Sequence, residues 1–326
     1  MRPHASALPT LHATPPRADP AFFSVLTPTL PAQSSVEPRI IEVPQLLSPT
    51  PSSLPPQKIA TWNIQWFPGR QPLRGTAEDA REQTRAVRAL FNQVKPDILF
   101  ACEVRSLEAL QELKLKGFSL ACTQIPRTEE ENPELPNQGL ALLSRVPWLS
   151  LWALDFSTLS PGPDRPPRGI LGARFALPAG RSLTLYGVHL KSNRGDANAN
   201  RLKRERAMEY LRWDWKRLGL DPQKDRILLV GDFNTSLHLP AFEEEQTLRA
   251  LLREGFVDAA SALSGNERIT LPSAPGSPFP PADFDQILLS PALAADYAST
   301  PPQAHITPAP AQASDHHLMS LLLPEP

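Results

Sequence analysis

This chain of 326 residues has few cysteines, no long apolar segment and almost no net charge. The two cysteines, Cys102 and Cys122, do not form a CxxC pair, which excludes a zinc site built on clustered thiols. Both lie in apolar segments, so the sequence favours two buried thiols. A disulfide between them, which would imply an oxidising compartment, stays open as the alternative.

No segment of 18 or more consecutive apolar residues occurs, so we expect no membrane-spanning helix. Lysine and arginine together number 33, against 34 aspartates and glutamates, which gives a formal net charge of −1. Bulk electrostatic attraction is therefore excluded as the main means of holding a nucleic acid. A local basic patch is still compatible with this balance.

Proline, by contrast, is abundant, with 39 residues that are unevenly distributed. Residues 1–56 are rich in proline, poor in charge and without a hydrophobic period, which predicts a disordered leader. Within this leader, the short apolar stretch 21–26 and the following Leu30-Pro-Ala-Gln weakly resemble an export signal and its cleavage site. The sequence thus leaves two locations open, the cytoplasm and export.

Residues 57–326 have the pattern of a folded catalytic domain. Apolar stretches of strand length alternate with segments of helical period, and some strands are wholly apolar while others alternate. This combination favours two packed sheets covered by helices. The segments 272–281 and 301–310 are rich in proline and predict loops. One helix is predicted in detail, because a capping box at Thr76 precedes apolar residues on one face: Val87, Leu90, Phe91 and Val94.

Polar residues follow the apolar strands at several points, each at or just beyond a strand end. Loops at strand ends are where a rigid scaffold presents functional side chains. Carboxylates, carboxamides and histidines form a donor set that suits Mg²⁺, with Mn²⁺ or Ca²⁺ as alternatives, better than zinc. The residues concerned are Asn63, Glu103, His189, Asp232, Asn234, Asp315 and His316.

The segments that contain these residues resemble, in order along 57–326, the motif set of the endonuclease/exonuclease/phosphatase superfamily. The resemblance implies an α+β fold, a four-layer αββα sandwich of two mixed β-sheets flanked by helices. The matching segments are Thr61-Trp-Asn-Ile-Gln, Ala101-Cys-Glu-Val-Arg, Gly139-Leu-Ala-Leu-Leu-Ser-Arg, Val188-His-Leu-Lys, Val230-Gly-Asp-Phe-Asn, Phe284-Asp-Gln-Ile-Leu and Ser314-Asp-His.

The resemblance also implies a role for each matching residue. Asn63, Glu103 and Asp315 would hold the metal, and Asp315 would also serve the attacking water. Asp232 and Asn234 would position that water and a phosphate oxygen. Two histidines would flank the phosphorus, and a further carboxylate would orient one of them; these residues are His189, His316 and Asp285. The family has one histidine at its last motif, so we assign the chemistry to His316 and a packing or surface role to His317.

The substrate is less narrowly defined by the sequence. Glu103-Val-Arg105 resembles members of the pancreatic-deoxyribonuclease type, in which an arginine at this spacing reaches the DNA backbone. Further phosphate contacts are predicted at Arg168, Lys191 and Arg194. A downstream run is read as a solvated helix face, with Arg201 and Arg204 best placed to point back to the site: Arg201, Lys203, Arg204 and Arg206.

These residues favour a metal-dependent phosphodiester hydrolase, most simply a nuclease that cuts DNA or RNA within the strand by in-line attack of water. A phosphatase or phosphodiesterase of a small phosphoester, such as an inositol phosphate, a nucleotide or a lipid headgroup, is the alternative, because the net charge is near zero. A non-catalytic binding module of the same fold is a third. Nucleic acid is the predicted partner, no protein partner is implied, and we expect a monomer.

Overall fold

The computed structural model describes residues 36–50, 52, 56–125, 135–273 and 280–323. The strands are β1 Arg39–Ile41, β2 Gln45–Leu46, β3 Lys58–Phe67, β4 Ile98–Val104, β5 Ser119–Cys122, β6 Gly139–Ser144, β7 Trp148–Asp155, β8 Ile170–Ala176, β9 Ser182–His189, β10 Arg226–Asp232, β11 Val257–Asp258, β12 Asp285–Leu289, β13 Ala304–Thr307 and β14 Leu318–Leu322. The helices are α1 Ala77–Val94, α2 Leu107–Gln111, α3 Ala197–Leu218, α4 Gln246–Arg253 and α5 Pro291–Ala295.

Within the described ranges, these strands form two mixed sheets of seven strands each. One sheet has the order β1-β7-β8-β9-β10-β12-β11, and the other has the order β13-β14-β3-β4-β6-β5-β2. The central pairs β9–β10 and β3–β4 are parallel, and the strands beside them are antiparallel. The predicted architecture of two mixed sheets flanked by helices is confirmed.

The two sheets pack face to face because their central strands are apolar on both faces. In β4, Ile98 and Phe100 face the other sheet, whereas Leu99 and Ala101 face the helices. The sheets approach closely where Phe100 lies against Gly187 of β9. A Cβ atom at Gly187 would lie 2.0 Å from the Phe100 ring, so this contact requires glycine.

Helices cover the outer face of each sheet and complete the four layers. The predicted capping box at Thr76 begins α1, and the four predicted apolar residues of α1 are buried against its sheet. The other sheet is covered by α3 and α4. Asp214 of α3 is fully buried and accepts hydrogen bonds from Trp152 Nε1 at 3.0 Å and Tyr186 OH at 2.8 Å. This polar contact fixes α3 on its sheet.

Four short strands lie where no strand was predicted, namely β1, β2, β11 and β13. β1 pairs with β7 and β2 with β5, although both lie in the segment assigned to the leader, and residues 1–35 of that leader lie outside the described residues. The prediction that 301–310 is a loop is wrong for β13, which pairs with β14. Strands of two to four residues at a sheet edge have too few positions to show a period, and proline is tolerated there.

Both cysteines are buried and free, as the apolar segments around them predicted. They lie on β4 and β5, which are separated in the sheet by β6. In the part of the chain that the structure describes, no helix has the length and apolar character needed to cross a membrane.

Candidate active site

Strand direction gathers the polar residues of the motifs at one edge of the two sheets. The parallel strands β3 and β4, and in the other sheet β9 and β10, end at this edge. The antiparallel strands β12 and β14 begin there, so residues at their amino ends arrive at the same place. The residues brought together are Asn63, Glu103, His189, Asp232, Asp285, Asp315 and His316.

Asn63 joins the two sheets at this edge. Its Nδ2 donates to Glu103 Oε1 at 3.1 Å in its own sheet and to Asp232 Oδ2 at 3.0 Å in the other. His189 Nε2 lies 3.7 Å from Glu103 Oε1 and 3.6 Å from Asp232 Oδ2. Four side chains from four strands therefore meet within a few ångströms, and all are largely buried.

A glycine allows Asp232 to lie beside His189. Gly231 has φ +134°, and a Cβ there would lie 2.0 Å from Val188 O, so β10 can approach β9 this closely only with glycine. The register then pairs Asp232 with His189 on one side and with Asp285 on the other. The Val-Gly-Asp sequence thus sets the position of the carboxylate through the backbone.

His316 and Asp285 form a buried pair behind Asp232. The distance from His316 Nδ1 to Asp285 Oδ2 is 2.7 Å, and His316 Nε2 lies 4.0 Å from Asp232 Oδ2. Burial acts against the charged ring, but the carboxylates of Asp285 and Asp232 outweigh it and raise the pKa of His316 to about 10. The imidazole is therefore held as a donor, with Nε2 on the side of Asp232.

Asp232 is a carboxyl group that titrates near neutral pH. Burial raises its pKa to about 7; His316 opposes this rise, and the charge of Asp285 adds to it. Its Oδ1 accepts the backbone N–H of Asn234 at 2.9 Å. A carboxylate with its proton affinity near the working pH is suited to accept a proton from water.

Backbone strain is concentrated in this region. Gln65, Trp66, Glu103 and Asn234 all have positive φ, between 42° and 63°, a conformation that is costly for residues other than glycine. Such strain persists only where surrounding contacts enforce it, and it is typical of functional sites. Here the contacts are specific, since Trp66 N donates to Glu103 Oε2 at 3.1 Å and Gln65 N to Asn63 Oδ1 at 3.0 Å.

Gln83 of α1 supports the strained end of β3 and the loop that follows it. It is fully buried, and its Nε2 donates to the carbonyls of Ile64, Gln65 and Ala313 at 2.8, 3.0 and 2.9 Å. Its Oε1 accepts two backbone N–H groups of residues 69 and 70. One glutamine therefore links the loop after β3 to the segment that carries Asp315. The sequence does not indicate these hydrogen bonds, because Gln83 looks like any other polar residue of a helix.

The side chains at this edge surround an open cavity of about 490 Å³. Ten of the twelve predicted site residues line it, and the other lining residues include Trp66, Arg70 and Gln138, which no motif indicated. Arg70 and Gln138 come from loops whose course only the folded chain defines, and Trp66 comes from the end of β3. The ten are Asn63, Glu103, Arg168, His189, Lys191, Arg194, Asp232, Asn234, Asp315 and His316.

Two predicted residues lie outside this lining. Asp285 lies behind His316, as an orienting partner must. Arg105 donates through Nη2 to Gln71 O at 2.8 Å, beside the loop that carries Arg70, and its contact with a substrate phosphate stays a prediction. Arg168, in contrast, lies at the cavity, where Nη1 donates to Leu190 O at 3.2 Å and the fork contacts Gln138 Oε1.

The donor set of the cavity fits a divalent cation. Burial, and then the charge of Asp315, raises the pKa of Glu103, so a cation between these carboxylates would relieve their repulsion. Within the described ranges no three His, Cys, Asp or Glu side chains form a metal-binding group. Mg²⁺ commonly binds through one or two carboxylates and keeps several waters, which matches Glu103 and Asp315 with the Asn63 amide beside them.

His317 lies away from the site, as the alternation along a strand predicts. Its Nδ1 accepts the backbone N–H of Ala309 at 3.2 Å, and its own N–H donates to Thr270 O at 2.6 Å. It does not line the cavity of about 490 Å³.

Comparison with known proteins agrees with the motifs. Residues 60–316 match the Endonuclease/Exonuclease/phosphatase family, a span that runs from β3 to His316. No curated protein sequence matches the chain significantly.

Solved structures resemble the chain over most of its length. TDP2 of D. rerio, complexed with single strand DNA product, is 18% identical, with a TM-score of 0.55 over 82% of this chain and 98% of that one. A family protein from Leptotrichia buccalis C-1013-b is 15% identical, with a TM-score of 0.55 over 82% and 100% of the two chains. Truncated Caenorhabditis elegans TDP2 is 17% identical, with a TM-score of 0.53 over 82% of this chain and 96% of that one. At such identities the likeness shows the fold.

Proposed function

Given that the chain belongs to the endonuclease/exonuclease/phosphatase family, we propose that it is a divalent-metal-dependent phosphodiesterase that cleaves strands of DNA or RNA. Members of this family hydrolyse phosphoester bonds and typically use divalent metals. One observation carries the proposal. The side chains of Asp232 and His316 lie against the same cavity as the two carboxylates Glu103 and Asp315.

Asp232 and Asn234 would hold the attacking water. Asp232 Oδ1 is fixed by the N–H of Asn234, and Asn234 Nδ2 is fixed by Leu190 O at 3.2 Å, so both side chains have set directions. Holding the nucleophile in line removes much of the entropic part of the barrier. Asp232 accepts the proton that the water loses as the new P–O bond forms; the bond to the leaving oxygen breaks, and that oxygen takes a proton from solvent.

His316 and His189 would stabilise the phosphoryl group. His316 keeps both ring protons near neutral pH, so one is donated to Asp285 and the other is available to an anionic oxygen in the cavity. His189 Nε2 lies between the carboxylates of Glu103 and Asp232. A divalent cation held by Glu103 and Asp315, beside Asn63, would offset the negative charge of the phosphodiester.

Basic residues at the cavity support a polymeric substrate. Arg168, Lys191 and Arg194 line the cavity together with Arg70, and these side chains suit the phosphates that flank the scissile one. A neighbour of the same fold, TDP2 of D. rerio, is complexed with single strand DNA product. This local patch supplies the attraction that a net charge of −1 does not.

A small phosphoester is the second candidate substrate. A cavity of about 490 Å³ is within the range of pockets that enclose small ligands, and the near-zero net charge favours no polyanion. The two candidates differ in product. A phosphatase releases inorganic phosphate from monoesters and leaves a polynucleotide intact.

We expect the protein to nick supercoiled plasmid and to cut single-stranded oligonucleotides in the presence of Mg²⁺ or Mn²⁺. EDTA should abolish both reactions, and excess Mg²⁺ should restore them, because a cation would offset the repulsion between an anionic substrate and the carboxylates of Glu103 and Asp315. Gel electrophoresis and a phosphate-release assay on the same samples provide the measurement. Phosphate release without strand cutting would replace the nuclease proposal with the small-phosphoester one.

Arg168→Ala should raise KM for an oligonucleotide roughly ten- to a hundred-fold, since one charge-assisted contact is worth about 1.5–3 kcal/mol. The slope of log affinity against log salt should fall by about one. Arg105→Ala should have a smaller effect, because its guanidinium contacts Gln71 O beside the cavity. Arg174→Ala, an exposed arginine bound to Ser182 Oγ, is the control. Equal KM for all three variants would contradict a phosphate contact at Arg168.

A further inference from the structure

Arg204 of α3 is a buried arginine that does not line the catalytic cavity. It was predicted to point back to the site from a solvated helix face, but its side chain is only 2% exposed. Its Nε and Nη2 donate to the two carboxylate oxygens of Glu245 at 2.7 and 2.6 Å. Buried ion pairs contribute little net stability, because desolvation offsets their attraction, so this pair calls for another explanation.

The remaining bonds of Arg204 connect it to the loop after β9. Its Nη1 donates to Lys191 O at 2.9 Å and to Asn193 Oδ1 at 3.0 Å. Asn193 Nδ2 in turn donates to Asn234 O at 2.9 Å. Since a carboxamide has one accepting and one donating side, the bond from Arg204 determines which side of Asn193 faces Asn234.

Asn234 depends on such support because its backbone is strained, with φ +51°. Asp232 Oδ1 accepts a hydrogen bond from the backbone N–H of Asn234, and Leu190 O accepts one from its side-chain Nδ2. Asn193 Nδ2 donates a hydrogen bond to the backbone carbonyl of Asn234. Glu245 is itself fixed by Thr247 Oγ1 at 2.7 Å, so a continuous set of bonds runs from the start of α4 to Asn234.

We propose that Asn193 and Arg204 are positioning residues for phosphoester hydrolysis, which hold Asn234 in its catalytic conformation from outside the cavity. This inference rests on the proposed function of Asn234. Neither side chain lines the cavity of about 490 Å³. Asn193 lines an adjoining cavity beside Asn234 and Asp315, and its bond to Asn234 O is the contact through which both residues act. Their effect is therefore on turnover more than on substrate binding.

The test is Asn193→Asp, which preserves shape and strengthens the contact with Arg204 but places a carboxylate oxygen against Asn234 O. We expect kcat for bis(p-nitrophenyl) phosphate and for an oligonucleotide to fall about 100-fold, the effect of a misplacement near 1 Å, with KM unchanged. Tm should be equal to or above that of the wild type, because the variant gains a charge-assisted bond to Arg204. A purely structural role would move Tm and kcat together.

Asn198→Asp is the matched control, since it makes the same chemical change at an exposed position on the first turn of α3, outside this set of bonds. It should retain wild-type kcat. A double replacement, Arg204→Met with Glu245→Met, removes both buried charges and should lower kcat as Asn193→Asp does. Adding Asn193→Asp to it should cause little further loss, because residue 193 has already lost the orientation toward Asn234 that Arg204 imposes.

The NMR resonance of the Asn234 side-chain amide gives a readout without turnover. It should shift in Asn193→Asp and stay in place in Asn198→Asp. If Asn193→Asp leaves both the resonance and kcat unchanged, the positioning proposal is overturned. If the resonance shifts while the wild-type protein hydrolyses no phosphoester, the contact is supported and it is the proposed function that fails.

Discussion

Replacing Asp232 with asparagine is expected to lower kcat roughly 10³- to 10⁴-fold for any phosphodiester that the protein cleaves. The carboxylate is the proposed proton acceptor for the attacking water, and an amide of the same shape cannot take up that proton. Because Asn63 Nδ2 and the N–H of Asn234 both donate to this carboxylate, the substitution also turns one favourable contact into a donor–donor clash. Single-turnover rates and Tm separate the two effects.

Asp258→Asn is the appropriate comparison. Asp258 is a buried carboxylate of the same sheet, and it forms an ion pair with Arg268 at 2.7 Å away from the cavity. This variant should lose stability while its kcat remains at the wild-type level. An Asp232→Asn protein that is as active as the wild type would rule out Asp232 as the general base.

The second large effect is expected at His316. Substitution by glutamine removes the imidazolium that we propose as a donor to the phosphoryl oxygen, and we expect a loss of roughly 10²- to 10³-fold in kcat. Asp285→Asn should cost less, because the imidazole remains in place with a weaker orienting bond. The double variant should be about as slow as His316→Gln alone, since the hydrogen bond of Asp285 to the site is made to that ring.

His317→Gln is the control beside it. The neighbouring ring binds Ala309 N and lies outside the cavity lining, so its loss should leave kcat unchanged. Additive losses at Asp285 and His316 would mean that Asp285 acts on the substrate independently. Loss of activity in His317→Gln with intact folding would mean that the assignment of the chemistry to His316 is incomplete.

The strongest sequence predictions were those that depend on one local pattern. The helix α1 follows from its capping box and the spacing of its apolar residues, and the alternation in β4 follows from burial on both faces. The residues at strand ends share an edge because parallel and antiparallel pairing leaves few ways to connect the strands. Family motifs then gave each of those residues an expected role.

Other features are invisible in the sequence because they depend on contacts between distant segments. Gln83 lies on a helix that shows nothing of its five bonds to the loops around Asn63 and Asp315. Arg70 comes to the cavity through a loop that no motif marks. The short strands β1, β2 and β13 take their hydrogen bonds from sheet edges that exist only after the rest has folded.

Arg204 shows most clearly which features the sequence indicates and which only the tertiary structure shows. By itself, the sequence determined that carboxylate, carboxamide and histidine side chains would follow the ends of the central strands, because the period of a strand and the residue after its end are local properties. The tertiary structure alone decided that an arginine in a basic run would be buried against Glu245 and joined to Asn234 through Asn193. Whether a charge is solvated or buried depends on which distant carboxylate packs against it, and the spacing of residues along the chain contains no record of that.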